Sequence, residues 1–547
     1  MSDLWKNQLY FGDNLDILKD LCRQHPDGFI DLIYIDPPFN SKRNYNVLFE
    51  SIDLKDSTAQ KEAFADTWTN VSYMDMLNEL SDLDISLFRF LQNLDNCNIS
   101  KGAISYLVTM AIRLWYMHRL LKPTGSFYLH CDPTMSHYLK VLCDLVFGEV
   151  FYINEIIWKR SDAHSDSKQG SKHFGRIHDV ILFYCKSPKT TFSTLYNPLP
   201  QSTIDNWYNN LEEGTGRRYN KGDLQAPGGA GKGNPYYDWN GHLKYWRYSK
   251  ENMQKLHDEN KLVYSKSGMP YQKRYLDESK GVSVQDLWDD ISMLRGLQKK
   301  GESLGFPTQK PEALLERIIQ TSTNEGDLVA DFFCGCGTSI AVAEKLKRKW
   351  VGVDISHLAV RLIAKRLVDS YGDEVEKTFE IHGFPKDLDS ARELANKVKG
   401  GRLEFEDWII EVILHGIMNE RRNEMGFDGY RTFALDRKYL VMLEVKSGNA
   451  SPTQLNHFIM TVKDKKGDMG VFICFAEQIT RNMQLIAKKE GLFTDDNGNS
   501  YSDKIQIISV EDLLEGKRPQ IPQSRFETFK KAEKKSNDTD TQIKMEM

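Results

Sequence analysis

A carboxylate, two prolines and an aromatic ring follow a predicted buried strand near the start of the chain. Residues 31–35 have the strand pattern, and Asp36-Pro37-Pro38-Phe39 come next. At the carboxyl edge of a parallel sheet these groups suit a planar amine, because Asp36 and the Pro37 carbonyl would stabilise positive charge developing on its nitrogen as a methyl group arrives. Phe39 would stack on the ring. A Pro-Pro turn with a capping aspartate is the alternative, and the motif alone does not decide between them.

A glycine loop is the second motif, between a predicted strand over residues 328–333 and a predicted helix over residues 340–346. It reads Asp331-Phe332-Phe333-Cys334-Gly335-Cys336-Gly337-Thr338. Glycines let the backbone approach a ligand, and a helix amino end offers N–H groups. Asp354 follows 23 residues after Asp331, where it could bind both ribose hydroxyls of an adenosyl cofactor. A dinucleotide is the rival ligand, but Asp331 would repel a pyrophosphate and attract the ammonium and sulfonium of S-adenosylmethionine.

Several motifs in a fixed order resemble the beta class of bacterial DNA amino-methyltransferases, in which D-P-P-F precedes F-x-G-x-G. The matching stretches are residues 11–14, 36–41, 125–132, 154–158 and 308–311, the glycine loop and residues 352–354, and they cover most of residues 8–365. The resemblance implies a catalytic motif of Asp36, Pro37, Pro38 and Phe39. It also implies a cofactor site made of Asp13, Thr308, Lys310, Asp331, Phe333, Gly335, Gly337 and Asp354. The glycine loop departs from the family at Phe332 and Cys336, but neither change removes a needed charge or glycine.

The length and charge of the chain limit the other interpretations. Its 547 residues predict about three or four folding units. The net charge of -5 excludes a uniformly basic nucleic-acid coat. Eight cysteines and a start without signal-peptide character indicate a cytoplasmic location. The apolar stretches over residues 106–121 and 439–445 are too short or broken by arginine, so no membrane segment is expected.

We expect a Rossmann-like α/β methyltransferase with an insertion and a smaller carboxyl-terminal α/β domain. Residues 1–158 are predicted to form the catalytic half of the methyltransferase domain, with a helical insertion at about 50–105. Residues 159–300 are predicted to form the target-recognition region, and residues 301–398 the cofactor-binding half. The carboxyl-terminal domain is predicted over residues 401–520, followed by a charged tail over residues 525–547.

The predicted target-recognition region is the basic part of an acidic chain. Residues 159–300 hold 23 Lys and Arg against 16 Asp and Glu, a net charge of +7. The candidates for phosphate contacts are Lys159, Arg160, Arg217, Arg218, Lys221, Lys232, Lys244 and Arg247. The aromatic candidates for base contacts are Tyr236, Tyr237, Trp239 and Trp246, although packing is the expected fate of most of them.

The carboxyl-terminal domain carries a second set of charged residues. If an odd-length turn is centred on Asp436, Asp428 falls opposite Glu444, on the face that also carries Lys446. Two carboxylates and a lysine could hold Mg²⁺ and activate water against a phosphodiester. The arrangement resembles the Mrr-like branch of PD-(D/E)xK restriction nucleases, with Glu406 or Glu411 as a helix carboxylate. An amphipathic hairpin with surface charges is the alternative.

The sequence therefore predicts transfer of a methyl group from S-adenosylmethionine to adenine N6 in double-stranded DNA, by base flipping, within a restriction-modification system. Cytosine N4 is the alternative position, and a protein glutamine methyltransferase is a disfavoured rival. A bifunctional enzyme that also cuts DNA through Asp428, Glu444 and Lys446 is a further alternative, and so is a carboxyl-terminal domain that only tethers DNA. A cognate restriction subunit and a homodimer are open options for partners.

Overall fold

The computed structural model describes residues 5–38, 72–97, 99–161, 172, 174–294, 302–304, 309–385, 387–396, 401–414, 416–419, 425–435 and 437–522. The chain divides into two compact units. One comprises residues 1–193 and 286–547, and the other comprises residues 194–285.

Fifteen helices are defined within these described ranges. They are α1 (Asn14–Gln24), α2 (Ser72–Leu83), α3 (Ile85–Asp95), α4 (Lys101–Leu120), α5 (Ser136–Phe147), α6 (Gln201–Trp207), α7 (Lys250–Asp258), α8 (Glu312–Ser322), α9 (Thr338–Lys345), α10 (His357–Tyr371), α11 (Leu388–Asn396), α12 (Gly401–Asp407), α13 (Pro452–Asp464), α14 (Arg481–Lys489) and α15 (Val510–Leu514). A π-helical turn, Trp408–Ile413, follows α12.

The strands of the described ranges are β1 (Asn7–Phe11), β2 (Ile30–Ile35), β3 (Leu121–Cys131), β4 (Tyr152–Lys159), β5 (His178–Cys185), β6 (Tyr196–Asn197), β7 (Asn210–Leu211), β8 (Arg218–Asp223), β9 (Tyr236–Trp239), β10 (His242–Tyr245), β11 (Leu262–Tyr264), β12 (Pro270–Tyr275), β13 (Val282–Ser283), β14 (Leu287–Trp288), β15 (Leu328–Asp331), β16 (Lys349–Asp354), β17 (Phe379–His382), β18 (Ile417–Met418), β19 (Gly429–Ala434), β20 (Lys438–Val445), β21 (Met469–Cys474), β22 (Leu492–Thr494), β23 (Ser500–Asp503) and β24 (Ile505–Ser509).

A nine-stranded sheet forms the centre of the first unit. Its order is β14-β4-β5-β3-β2-β15-β16-β1-β17. Every neighbouring pair is parallel except those that β5 makes with β3 and β4. All residues of β2 and β15 are buried, as in a parallel sheet covered on both faces. The predicted α/β architecture is therefore observed.

Four strand ends meet at the carboxyl edge of this sheet. Ile33 on β2 pairs with Ala330 on β15, and Asp331 pairs with Gly352 on β16. On the other side of β16, Phe11 of β1 pairs with Asp354. The segments that follow these strands therefore emerge side by side, and they include the sequence motifs predicted to do chemistry.

The described part of the predicted helical insertion consists of α2 and α3, which confirms its helical character there. Residues 39–71 lie outside the described residues. The next helix, α4, buries most of its side chains in the main core. Strand β3 begins directly after it, and Leu121 pairs with Ile30 across a register shift.

The second unit contains three small antiparallel sheets, with orders β11-β12-β8-β7, β10-β9 and β13-β6. Its core consists of Leu224, Trp239, Trp246, Met253 and Leu262. The unit lies inside the predicted target-recognition region. The rest of that region includes β5 and β14 of the central sheet.

The carboxyl-terminal residues of the first unit form a five-stranded sheet with the order β18-β19-β20-β21-β24. Strands β18, β19 and β20 are antiparallel, whereas β20, β21 and β24 are parallel. The candidate helix carboxylates Glu406 and Glu411 lie in α12 and in the π-helical turn, respectively. The predicted tail lies outside the described residues. Among the helices in the described ranges, none combines the length and apolarity needed to cross a bilayer.

The core of the second unit depends on Trp246, which is fully buried and donates its indole N–H to the Tyr237 carbonyl at 2.9 Å. We expect Trp246→Ala to lower the free energy of unfolding by about 3–5 kcal/mol, because it leaves a large cavity. Trp207→Ala is the control: this side chain is 63% exposed, and its loss should cost about 0.5 kcal/mol or less. Chemical denaturation measures both, and equal costs would contradict this account of the core.

Candidate active site

Asp36 lies at the carboxyl edge of the sheet, directly after β2, and forms an ion pair with Lys310. The ammonium Nζ of Lys310 donates to Asp36 Oδ2. The Asp36 side chain is 18% exposed and the Lys310 side chain is 13% exposed, so water screens the pair only partly. Pro37 is buried and Pro38 is half-buried. Lys310 thus links the two sequence motifs that the resemblance assigned separately to catalysis and to the cofactor.

Asp331 ends β15 and opens the glycine loop. Its Oδ1 accepts from the Phe333 amide at 2.9 Å, and its Oδ2 accepts from the Ser339 hydroxyl. Burial raises the pKa of Asp331 to about 7, the negative charges of Asp36 and Asp354 add to the shift, and the two hydrogen bonds oppose it. The three carboxylates are therefore close enough for their charges to interact.

Asp354 ends β16 and faces the glycine loop. Its Oδ2 accepts from the Gly335 amide at 2.7 Å, and its Oδ1 accepts from the Ser356 amide at 2.8 Å. Burial raises the pKa of Asp354 to about 6 against these two donors. The Asp354 carbonyl accepts from the Gly12 amide at 3.1 Å, which ties the loop after β1 to the same place.

Asp13 caps α1 beside this loop. Its Oδ1 accepts from the Leu15 amide and from Arg113 Nη2, both at 2.8 Å. The neighbouring Asn14 donates to the Phe332 carbonyl at 2.8 Å, so the segment after β1 is bonded to the glycine loop. Arg113 is buried in α4 and was not found by sequence reasoning, because it lies in an otherwise apolar helix far from any motif.

Helix α10 packs against the glycine loop. Arg366 is buried; its Nη1 donates to the Cys336 carbonyl at 3.2 Å, and its Nη2 donates to Glu312 Oε1 at 2.9 Å. Gly337 has a φ of +71°, and a Cβ there would lie 2.4 Å from Cγ1 of Ile363. Glycine is required at this position by both backbone and packing. Sequence reasoning missed Arg366, since only the folded helix brings it to the loop.

The structure brings together eight of the predicted methyltransferase-site residues at this edge: Asp13, Asp36, Lys310, Asp331, Phe333, Gly335, Gly337 and Asp354. Pro37 and Pro38 continue the chain from Asp36. Phe39 and Thr308 lie outside the described residues.

A buried polar chain crosses the sheet beside Asp36. The Tyr34 hydroxyl lies 3.0 Å from His130 Nδ1, and His130 Nε2 lies 3.3 Å from Asp179 Oδ2. Asp179 Oδ1 is 3.5 Å from Nε of Arg160. Burial acts to raise the pKa of Asp179, but the His130 hydrogen bond and the charges of His130, Arg160 and Lys310 lower it. The charge of Lys310 therefore acts on this series of hydrogen-bonded side chains through Asp179.

A second cluster of charges lies on the carboxyl-terminal sheet. Ala434 pairs with Lys438 and Gly429 with Leu443, which confirms the odd-length turn and puts Asp428 opposite Glu444. Glu444 forms an ion pair with Lys446.

The carboxylates of this cluster interact through their charges. Burial, followed by the charges of Glu444 and Glu406, raises the pKa of Asp428 to about 7. Burial also raises the pKa of Glu444, and the charge of Glu406 adds to that shift while Lys446 opposes it. The charge of Glu406, one of the two candidate helix carboxylates, thus acts on both Asp428 and Glu444. No group of three or more His, Cys, Asp and Glu side chains in the described ranges forms a metal-ligand cluster.

Part of the predicted phosphate-contact set has protein partners. Arg217 donates to Asp277 and Glu278 at 2.7–2.8 Å, with its guanidinium 3.7 Å from the centre of the Tyr275 ring. Arg218 donates to the Tyr208 carbonyl at 2.8 Å. The two carboxylates offset the positive charge that Arg217 could offer a phosphate.

The predicted aromatic contacts divide by burial. Trp239 and Trp246 are buried, as expected for packing residues, whereas Tyr236 is 54% exposed.

The sequence from residue 30 to residue 366 matches the family model described as DNA methylase, that of the N6/N4 methyltransferases. The match spans more than half of the 547 residues, and the chain belongs to this family.

Three curated relatives illustrate the range of the family. Type II methyltransferase M.EcaI of Enterobacter cloacae is 31% identical over 48% of this chain and 57% of its own length. The Mod subunit of the type III restriction-modification enzyme StyLTI of Salmonella typhimurium is 28% identical over 61% of this chain and 49% of its own length. DNA adenine methyltransferase YhdJ of Escherichia coli is 24% identical over 65% of this chain and 81% of its own length. The chain thus spans about half the length of the first two relatives.

Asp331 should make stability depend on pH. Its pKa is raised on folding from the ordinary 3.8 to about 7, so the folded state binds the proton more tightly and loses stability as pH rises through this window. At 1.36 kcal/mol per pKa unit, the wild type should lose about 3 kcal/mol more than Asp331→Asn between pH 5 and pH 8. Urea denaturation at both pH values tests this, and an equal loss in the two proteins would contradict the assignment.

Proposed function

We propose that this protein is a site-specific DNA methyltransferase that moves a methyl group from S-adenosylmethionine to an exocyclic amino nitrogen of a base in duplex DNA, within a restriction-modification system. The observation that carries the proposal is the meeting of Asp36 with Asp331 and Asp354 at one edge of the sheet. A donor site and an acceptor site must adjoin for direct transfer.

The charges around the glycine loop fit S-adenosylmethionine. Asp331 and Asp354 both have raised pKa values, so a cation would stabilise their ionised forms. The cofactor brings an ammonium and a sulfonium, and when bound it supplies the methyl group. Asp354 would hold the ribose hydroxyls, Asp331 would attract the positive charges, and the loop backbone would line the adenosyl group.

Asp36 and the Pro37 carbonyl would accept hydrogen bonds from the target amine. The lone pair of such an amine is delocalised into the ring, which makes it a weak nucleophile. Two acceptors favour a tetrahedral nitrogen and stabilise the charge that develops on it during attack. The target base must leave the helix to reach this edge, and Phe39 is our candidate for stacking on it.

Adenine N6 is the proposed target, with cytosine N4 as the alternative. The D-P-P-F form resembles adenine-specific members more often, and the Escherichia coli relative is named as a DNA adenine methyltransferase. Single-molecule sequencing of DNA from cells that express the protein would identify the base and its sequence context. The basic residues 159–300 are the proposed target-recognition region.

Two substitutions should separate catalysis from cofactor binding. Asp36→Ala should abolish turnover while S-adenosylmethionine still binds, because the carboxylate acts on the amine. Asp354→Ala should weaken cofactor binding by about tenfold or more, since it removes a charged acceptor for the ribose. Calorimetry and methylation of plasmid DNA measure the two effects. Substantial turnover in Asp36→Ala, or an unchanged dissociation constant in Asp354→Ala, would overturn these roles.

DNA cleavage by the carboxyl-terminal domain is a second candidate function, favoured by the register that puts Asp428 opposite Glu444. The residues fit Mg²⁺. The charges of Glu444 and Glu406 help to raise the pKa of Asp428, and a cation bound there would reduce the repulsion between these carboxylates. Asp428 and Glu444 would hold the ion, which needs only one or two carboxylates besides water, and Lys446 would lie next to the phosphate. The Salmonella relative is named as a Mod subunit, so a separate restriction subunit is the competing arrangement.

Cleavage of unmethylated plasmid in the presence of Mg²⁺ tests this second function. We expect cuts with the wild type, none after chelation by EDTA, and at least a hundredfold slower cutting by Glu444→Gln with unchanged methylation. Asp503→Asn, on β23 outside the charge cluster, serves as the control. If a preparation that methylates the same DNA does not cut it, the nuclease function is eliminated. The remaining alternatives are then a carboxyl-terminal domain that only tethers DNA and a separate restriction subunit.

A further inference from the structure

Lys310 forms an ion pair with the carboxylate that the target amine needs. Its ammonium donates to Asp36 Oδ2 in a pair that is largely buried. An amino nitrogen that becomes positive during attack would be repelled by an ammonium on the same carboxylate, strongly so in a site with little water. Methyl transfer therefore requires the Lys310 ammonium to move away from Asp36 first.

The nearby carboxylates of the described site already have donors. Asp179 is bonded to His130 and lies against Arg160. Asp331 accepts from the Phe333 amide and Ser339, and Asp354 accepts from two backbone amides. S-adenosylmethionine brings a further anion that could draw Lys310 from Asp36, the carboxylate of its amino-acid end.

The backbone around Lys310 is anchored while its side chain is long. The preceding Gln309 is buried; it accepts from the Leu304 amide at 2.8 Å and donates to the Glu302 carbonyl at 2.7 Å. Pro311 follows and is the N-cap residue of α8. A flexible four-carbon stem on a fixed backbone lets the ammonium exchange partners without a rearrangement of the loop.

We propose that Lys310 is an exchange residue, which pairs with Asp36 in the protein alone and with the amino-acid carboxylate of the cofactor when the cofactor binds. Cofactor binding then frees Asp36 for the target amine, so a base is captured productively only after the cofactor. The inference rests on the proposed function and adds to it an order of binding. Lys310 is a positioning residue in this scheme, because it acts through Asp36.

Two probes separate the cofactor carboxylate from the rest of the ligand. S-adenosylhomocysteine carries the amino-acid end, and 5′-methylthioadenosine has the same adenosyl thioether without it. The DNA is a duplex with 2-aminopurine at the target base of the site mapped by sequencing, since its fluorescence rises on extrusion. In the wild type, S-adenosylhomocysteine should tighten binding of this duplex about tenfold and raise its fluorescence, whereas 5′-methylthioadenosine should do neither.

Lys310→Met should remove this coupling. The variant should extrude the base without any nucleoside, bind S-adenosylhomocysteine about tenfold more weakly, and bind 5′-methylthioadenosine as well as the wild type does. Lys140→Met is the matched control, because it removes another partly buried Lys–Asp pair, with Asp144 at 2.7 Å, on α5. It should behave as the wild type.

Equal base extrusion by the wild type with S-adenosylhomocysteine, with 5′-methylthioadenosine and with neither would overturn the exchange and leave the proposed function standing. Failure of the wild type to bind S-adenosylhomocysteine at all would instead overturn the proposed function. The wild-type comparison needs no variant, so it decides even where Lys310→Met does not fold.

Discussion

Three carboxylates, those of Asp36, Asp331 and Asp354, lie close together at one edge of the sheet, and the structure must offset their mutual repulsion. The topology brings the ends of β2, β15 and β16 together, and with them Asp36, Asp331 and Asp354. Ionised carboxylates in such a place are costly unless a cation or hydrogen-bond donors compensate them. Lys310 compensates Asp36, and backbone amides compensate the other two in part. The site is thereby prepared for a cationic ligand.

Helix α10 links this edge to the rest of the first unit. One side of it fixes the glycine loop through Arg366 and Ile363. Arg361, on the same helix, donates to the carbonyl of Glu411 in the π-helical turn, close to the cluster around Glu406. The glycine loop and the π-helical turn therefore contact the same helix.

Sequence reasoning succeeded where chemistry and local pattern coincide. The strand patterns over residues 31–35 and 328–333 identified β2 and β15, and the turn centred on residue 436 gave the register of Asp428 with Glu444. It missed Arg113, Arg366 and the chain from Tyr34 to Arg160, because their contacts are made by residues far apart in sequence. It also treated Arg217 as available to phosphates, since the pairing with Asp277 forms only in the folded second unit.

If the ends of two separate strands form one transfer site, a crystal structure of the protein with S-adenosylhomocysteine will show both ends at the ligand. We expect the ribose hydroxyls on Asp354, the adenosyl group along the glycine loop, and the sulfur facing Asp36. A ligand bound at the opposite edge of the sheet, or a sulfur turned away from Asp36 behind the loop, would contradict this arrangement.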